Sequence, residues 1–503
     1  MSRFFQSQAS TCSLYYTTVI AILSICPENV EKTVEYYGMA DLSPTMFREY
    51  DIRGREGEEL NEEAVSRIAR AYGAWLIKRG IKRCVIGHDN RRTSESYYEA
   101  AKNSLVYSGL EVIGISMSLT PMLYWAQQYL ESDGGMIITA SHNPVGWNGL
   151  KLAYDRTRTI LNEEIALIKK MSNANESVFG EGSFRETNIA AAYFEDLFSR
   201  TKLHRPLKVV VNTANATSSF FAPAMLEAFG CEVVELNTNP DPSYPHYDPN
   251  PANLPMMEDT GRKVLETKAD IGLAFDADGD RLGICDEFGQ MLFPDRWLIP
   301  LARHVLTEHP GAAIVFDVKC TEALPEDITR HGGNPVMWLT GHSYIKEMMQ
   351  TVGAPLGGEE SGHVYWGFPY FYGFDDSHLT ALKFLEAMTL ANKSVSQMFI
   401  DIPQYKTTPA WHVSVPDTIK YKVAEEIGEA FRKEGRTVIG INCARVYFNE
   451  IENGWGLIRA TSNLPAVVLR FEAKTEEGVK QIEQMFRDKL AGYPEVGDKW
   501  ETA

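Results

Sequence analysis

Three stretches of the chain repeat one succession: apolar strand, turn, amphipathic helix, apolar strand. In the first, "CVIGHD" (84–89) reads as a buried strand and "TSESYYEAAKNSLVYSG" (93–109) opens on a Ser/Thr cap and closes on glycine. "EVIGIS" (111–116) is the next strand, continued by "PMLYWAQQYL" and "GMIIT". In the second, "LKVVVNTA" (207–214) precedes "FFAPAMLEAFG" (220–230), "CEVVEL" and then "ADIGLAFD" (269–276). In the third, "AAIVFDV" (312–318) leads through "PVMWLTG" and the helix "SYIKEMMQTVG" to "PLGGEESGHVYW". Strands joined through helices run parallel, because the crossover carries the chain back to the same end of the sheet. The rhythm therefore predicts α/β domains with mixed, mostly parallel sheets.

The last hundred residues break the pattern. "ARVYFN" and "AVVLRFEAK" (466–474) alternate as strands, and "TEEGVKQIEQMFRDKL" places acids first and bases last, as the helix macrodipole favours. This predicts a smaller C-terminal α+β domain. "IPQYKTTPAWHVSVP" (402–416), with three prolines, is the linker candidate. At 503 residues the chain has room for several domains of roughly 100–200 residues each. The expected organisation is an extension over 1–40, α/β domains over 41–187, 188–290 and 291–402, and an α+β domain over 406–503, set around a central cleft.

A formal charge of −18 makes polyanions poor partners, and no basic patch suited to nucleic acid is present, although a local Arg/Lys cluster can still bind a small phosphate. The seven cysteines (12, 26, 84, 231, 285, 320 and 443) are scattered and never spaced C-x-x-C. That argues against a disulfide framework or zinc site and for a reducing, cytoplasmic compartment. The apolar run "CSLYYTTVIAILSIC" (12–26) is shorter than the ~20 residues of a membrane span and has no A-x-A-like cleavage site. Residues 1–40 therefore read as a loosely packed extension rather than a targeting segment, and no stable membrane association is expected.

Several loops carry chemistry. "GGMIITASHNPVGWNGLKL" (134–152) runs to a corner at Ser141 and places Lys151 ten positions later. In "LAFDADGDRLGICDE" (273–287), Asp276, Asp278 and Asp280 alternate directly after an apolar strand. An extended loop points all three carboxylates to one side, and their repulsion calls for a hard divalent cation, Mg²⁺ ahead of zinc or copper. The rival is an EF-hand calcium loop with Glu287 at its twelfth position; Arg281 at the sixth, where the turn needs glycine, opposes it. "GGEESGHVYWG" (357–367) offers Glu359, Glu360, Ser361 and His363, either a hydroxyl-recognising loop or a solvated turn. "GLIRATSNLPAVVLRFE" (456–472) sets Arg459, Thr461, Ser462 and Asn463 in a loop between apolar stretches, a phosphate cradle or a plain hairpin turn. "FREYDIRG" (47–54) brings Tyr50 and Arg53, a surface turn or a guard for an anionic substrate.

Together these loops resemble one family, the α-D-phosphohexomutases, in its phosphomannomutase/phosphoglucomutase branch. The resemblance spans residues 44–500 and rests on an ordered set: "FREYDIRG", "TASHNP…NGLK", "DADGDR", "TGHS", "GEESGH" and "RATSNLP…LRFEA". It implies an isomerase that interconverts hexose 6-phosphate and hexose 1-phosphate, of mannose or glucose, through an active-site phosphoserine and a hexose 1,6-bisphosphate intermediate. Such an enzyme serves carbohydrate metabolism and supplies nucleotide-sugar precursors. On that likeness Ser141 carries the phosphoryl group and, with Asp276, Asp278 and Asp280, holds Mg²⁺. Ser141, Lys151, Arg281 and His342 form the implied catalytic set. The implied substrate-binding set is Tyr50, Arg53, Arg296, Lys319, His342, Glu359, Ser361, His363, Arg459, Thr461, Ser462 and Asn463. The phosphate loop departs from the family's commoner pattern at Thr461, Ser462 and Asn463, and His142 stays open between shaping the serine loop and acting chemically.

Three readings compete with this one. A phosphoglucosamine mutase is disfavoured by the absence of glutamine at position 360. A metal-dependent sugar phosphatase shares the serine, cation and arginine but has no need for the sugar loop and distal phosphate loop together. A catalytically silent binding protein has no need for the full chemical set. The expected partners are small-molecule sugar phosphates.

Overall fold

The structure, a computed structural model, describes residues 40–441, 443–461 and 464–502. The expected N-terminal extension, save Ala40, lies outside the described residues, as do Ser462 and Asn463. Four sheets follow one another along the chain. In the first, strands run in the order Ile52–Arg55, Trp147–Tyr154, Gly134–Ile138, Arg83–His88, Glu111–Met117 and Ser183–Glu186. The Arg83, Glu111 and Gly134 strands are parallel because helices Ser94–Tyr107 and Thr120–Tyr129 connect them. Trp147–Tyr154 turns back antiparallel and sets Lys151 opposite Ile137.

The next two sheets share that plan. Ile271–Phe275, Lys208–Asn212 and Glu232–Leu236 are parallel, with Leu282–Cys285 and Met291–Leu292 added antiparallel. Asn334–Trp338, Ala313–Asp317 and Leu356–Gly358 are parallel, with Val364–Trp366 and Phe374–Asp375 added antiparallel. The fourth sheet is antiparallel throughout and is backed by helices Lys420–Lys433 and Glu476–Leu490. Three mixed, mostly parallel sheets and a smaller α+β unit are thus the architecture that the alternation of elements predicted.

Two local expectations need correction. Lys406–Thr407 and Trp411–Ser414, inside the expected linker, are strands of the fourth sheet. The three prolines flank these strands rather than interrupt them, so no ladder N–H is lost. Arg459 does not lie in a loop; it belongs to the strand Gly454–Ala460, and a hairpin turn follows it.

One apolar core ties the first three sheets together, drawing Val85 and Ile113 from the first, Val209 and Leu273 from the second, and Ile314 and Trp366 from the third. Helix Ser377–Leu390 crosses it with twelve of its fourteen residues buried, as suits a helix apolar nearly all round. The fourth sheet attaches through Trp455 and Leu457, which pack on Val318. The loops that follow Gly134–Ile138, Ile271–Phe275, Ala313–Asp317, Asn334–Trp338 and Leu356–Gly358 all leave the carboxyl ends of parallel or near-parallel strands, where open α/β sheets bind ligands. Among the described residues, no helix is long and apolar enough to cross a membrane.

Candidate active site

Ser141 sits three residues beyond the strand Gly134–Ile138 with φ +50°. A left-handed backbone costs a non-glycine residue roughly 1–2 kcal/mol, so the surrounding structure must hold it there. Arg91 does much of this: its guanidinium donates to the carbonyls of Ser141 (2.6 Å), Asn143 (2.5 Å), Pro144 (3.1 Å) and Trp147 (3.0 Å). Arg53 donates to the Ala140 carbonyl and, at 2.6 Å, to Asn143 Oδ1, and is itself paired with Asp51 at 2.8 Å. Thr139 Oγ1 accepts from the Ser141 N–H at 2.9 Å. The serine is held on a rigid corner, with Oγ 3.1 Å from His142 Nδ1 and 3.3 Å from Asp276 Oδ2.

The three aspartates converge, though not by strand-like alternation. The segment is a tight turn: Asp276 Oδ1 accepts the backbone N–H groups of Asp280 (3.0 Å) and Arg281 (3.2 Å), and Gly279 takes φ +70°. This fold-back brings one oxygen of each carboxylate to within 4.8 Å of the others. All three residues are buried, and the Lys151 ammonium joins Asp278 (2.9 Å) to Asp280 (2.5 Å). Thr120 Oγ1 donates to Asp278 at 2.6 Å. Burial and repulsion from the other two carboxylates push Asp276 well up; burial pushes Asp278 and Asp280 the same way, but Lys151, joined by Thr120 at Asp278 and by His363 and Arg281 at Asp280, holds both down. Asp278 Oδ1 and Asp280 Oδ1 are buried without a hydrogen-bond partner among the described residues. Orphaned, oxygen-only ligands of this kind fit a hard divalent cation. The EF-hand alternative fails on Glu287, which turns away to Ser396 Oγ at 2.6 Å.

Around the trio lies a further cluster of ionisable groups, of which Asp375 and Lys346 carried no signal in the sequence. His363 Nδ1 lies 2.8 Å from Asp375 Oδ2 and 3.7 Å from Asp280 Oδ1, while its Nε2 faces Arg281 Nε at 2.9 Å. Asp280, His363 and Asp375 also cluster closely enough for a cation, but the His363–Asp375 hydrogen bond already uses Nδ1. Lys346 ends 3.9 Å from Asp375 Oδ1 and 4.2 Å over the Tyr124 ring. Burial pushes its ammonium down to about 8.

His342 opens the helix His342–Val352, edge-on to Tyr50 at 4.7 Å and 3.5 Å from Asp51 Oδ1. Burial keeps its imidazole below the usual value, with Asp51 opposing. Glu359 is an anchor: Oε2 accepts the Gly341 N–H at 3.0 Å and Oε1 accepts from Tyr365. Lys319 pairs with Glu360 at 2.8 Å, and that partnership, after the opposing effect of burial, keeps the Glu360 carboxyl down at about 2. Ser361 stands half-buried at the loop apex, next to Gly362 at φ +98°. Burial pushes the Tyr50 hydroxyl up, and Arg459, from the fourth sheet, is close enough for its charge to oppose that shift in part. Thr461 closes the hairpin by accepting the Leu464 N–H at 2.9 Å and donating to its carbonyl at 2.6 Å. Arg296 stands apart, with its guanidinium on Gln404 at 3.2 Å.

Two buried arginines bind the fourth sheet to the third. Arg445 donates to the Val318 and Cys320 carbonyls, both at 2.7 Å, and Arg470 to Asp295 (2.7 Å) and the Lys319 carbonyl (2.6 Å). Both grip the loop that carries Lys319.

Models described as phosphoglucomutase/phosphomannomutase α/β/α domains I, II and III match residues 44–179, 191–289 and 293–405 respectively. The chain is 36% identical over 449 residues to a phosphomannomutase/phosphoglucomutase of Pseudomonas aeruginosa, covering 89% of this chain and 96% of that one. It is 35% identical over 463 residues to a phosphoglucomutase of Neisseria gonorrhoeae, covering 91% and 99%. Among solved structures, a phosphoglucomutase/phosphomannomutase family protein from Burkholderia thailandensis superposes with a TM-score of 0.83 at 33% identity, over 90% of this chain and 98% of that one.

Proposed function

The chain belongs to the phosphoglucomutase/phosphomannomutase family and is a hexose phosphate mutase, and from that premise we propose that Ser141 is the residue through which the phosphoryl group passes. The observation that carries this is the placement of Ser141 Oγ 3.3 Å from the Asp276 carboxylate, in a trio whose other members are bridged by Lys151. Phosphoryl transfer depends on alignment and charge neutralisation more than on covalent assistance, and a fixed serine beside Lys151 and Arg281 meets both needs.

In the proposed cycle a phosphoryl group on Ser141 moves to the free 6- or 1-hydroxyl of a hexose monophosphate. The phosphorus–Oγ bond breaks as the phosphorus–sugar oxygen bond forms. The attacking hydroxyl passes its proton to a base, and Ser141 recovers one as it leaves. His342, held neutral by burial, is suited to accept that proton. The resulting hexose 1,6-bisphosphate presents its other end, and its second phosphate returns to Ser141. Asp276, Asp278 and Asp280, with an oxygen from Ser141, are suited to hold Mg²⁺, which when bound neutralises charge at the transferring group. Lys319, Glu359 and Ser361 are assigned to the sugar, with Tyr50 and Arg53 lining its approach; Arg296, held on Gln404, stands outside this set, and His363 has both ring nitrogens committed to Arg281 and Asp375. Arg459 and Thr461, with Ser462 and Asn463, are assigned to the phosphate that is not reacting. Mannose and glucose phosphates are the proposed substrates.

A coupled assay with mannose 1-phosphate and with glucose 1-phosphate, each with and without Mg²⁺ and a bisphosphate primer, tests this reading. Conversion to the 6-phosphate with total ester conserved is expected. Net release of inorganic phosphate would replace the mutase cycle with hydrolysis.

A further inference from the structure

The surroundings of His363 fix where its proton sits. An arginine Nε–H can only donate, so His363 Nε2, at 2.9 Å from Arg281 Nε, must be the acceptor. The ring proton then lies on Nδ1 and is donated to Asp375 Oδ2 at 2.8 Å. Asp375 is delivered by the short strand Phe374–Asp375, paired with Tyr365, and its other oxygen faces the Lys346 ammonium at 3.9 Å. Neither Lys346 Nζ nor Asp375 Oδ1 has a hydrogen-bond partner among the described residues, and Tyr124 covers the lysine. A buried ion pair is thus placed directly behind the histidine. On the other side, Nε is the only guanidinium nitrogen of Arg281 that makes a hydrogen bond among the described residues, and Arg281 is half-buried, which leaves its terminal fork uncommitted. Its backbone N–H meets Asp276, the carboxylate beside Ser141.

We propose that Asp375 and Lys346 are positioning residues for the transfer: acting through His363 in its Nδ1–H form, they hold Arg281 with its terminal fork free to take two phosphoryl oxygens. This deepens the proposed cycle and rests on it for the role of Arg281. Bidentate recognition of phosphate requires a fixed fork, which a single bond at Nε supplies without using either terminal nitrogen.

Asp375→Asn is the informative change because it keeps shape while altering hydrogen-bond direction. Lys346 favours the amide oxygen on its own side, which turns the amide N–H₂ toward His363 Nδ1. The ring proton must then move to Nε2, where it opposes Arg281 Nε–H. The expected result is a fall in kcat of roughly 100-fold, the scale of losing one transition-state donor, with KM changed less than threefold. Nitrogen-15 spectra of histidine-labelled wild-type enzyme, with and without Mg²⁺, should show His363 in the Nδ1–H form, the signal being identified by its loss in His363→Gln; in Asp375→Asn it should shift to the Nε2–H form. A wild-type ring with its proton on Nε2, or on both nitrogens, overturns the proposal, as does an Asp375→Asn enzyme with unchanged kcat. The spectrum is read without substrate, so failure of the mutase cycle would show as absent wild-type turnover with the Nδ1–H signal intact.

Discussion

Replacing Lys151 by methionine isolates the electrostatics of the aspartate trio. The substitution keeps most of the side chain's length on the strand Trp147–Tyr154 and removes only the ammonium that meets Asp278 at 2.9 Å and Asp280 at 2.5 Å. Removing one partner of a buried ion pair costs about 3–5 kcal/mol, because the remaining charge stays desolvated. Here one ammonium serves two carboxylates with a third beside them, so metal-free Lys151→Met should lie at the upper end of that range, eased only as a carboxylate takes up a proton. Without Lys151 repelling it, a divalent cation should also bind more tightly. A tenfold gain in affinity adds about 1.4 kcal/mol of stabilisation at saturation. The assay is thermal unfolding of wild type and variant across a MgCl₂ titration, read as the midpoint because a multidomain chain need not unfold in two states. The variant should unfold well below wild type without Mg²⁺ and recover a larger upward shift with it, while turnover stays low throughout. Equal Mg²⁺-induced shifts, or a metal-free variant as stable as wild type, would refute the idea that Lys151 stands in for the cation's charge.

Arg91→Lys should leave the fold intact but loosen the Ser141 corner, since a lysine cannot reach the carbonyls that the guanidinium now holds; kcat should fall about 10-fold or more, as misplacement of a reacting group does, alongside faster proteolysis within 140–147. Arg470→Met breaks the contacts with Asp295 and the Lys319 carbonyl, and the expected outcome is a raised KM for sugar phosphates with a larger radius of gyration in solution scattering. Burial pushes the His378 imidazole from an ordinary 6.5 down to about 3. Below pH 6.5 the unfolded chain therefore takes up a proton that the folded protein refuses, and stability is lost as pH falls toward 3, by about 2 kcal/mol between pH 6.5 and 5. Urea unfolding of His378→Leu should show a shallower acid loss than wild type; identical slopes would remove His378 as the cause.

What the sequence disclosed depended on how local the signal was. The alternation of strands and helices set the fold class because each apolar run carries its own period and caps. Ser141 and the three aspartates stood out because each group is packed into a short segment beside a strand end. Their convergence at 3.3 Å is a tertiary fact, and the aspartates converge through a turn capped by Asp276 rather than through strand-like alternation. Arg91, Asp375 and Lys346 carried no signal: each is an ordinary residue in an ordinary helix, turn or strand, and gains meaning only from partners far along the chain. Arg459 reads as a loop residue because the polar residues after it are continuous with it, whereas pairing with Val468 holds it in the ladder. The stretch 402–416 reads as a linker for the same reason: its prolines are a local signal, whereas the pairing of the short strands between them is not.

The central claim is a covalent one, and the most direct measurement is covalent too. Enzyme mixed with radiolabelled hexose 1,6-bisphosphate, quenched and digested, should carry its label on the peptide containing residues 134–152, at Ser141. Unlabelled hexose 6-phosphate should discharge that label into bisphosphate, and Ser141→Ala should take up none. Label on another residue, discharge only as inorganic phosphate, or undiminished turnover by Ser141→Ala would contradict the account.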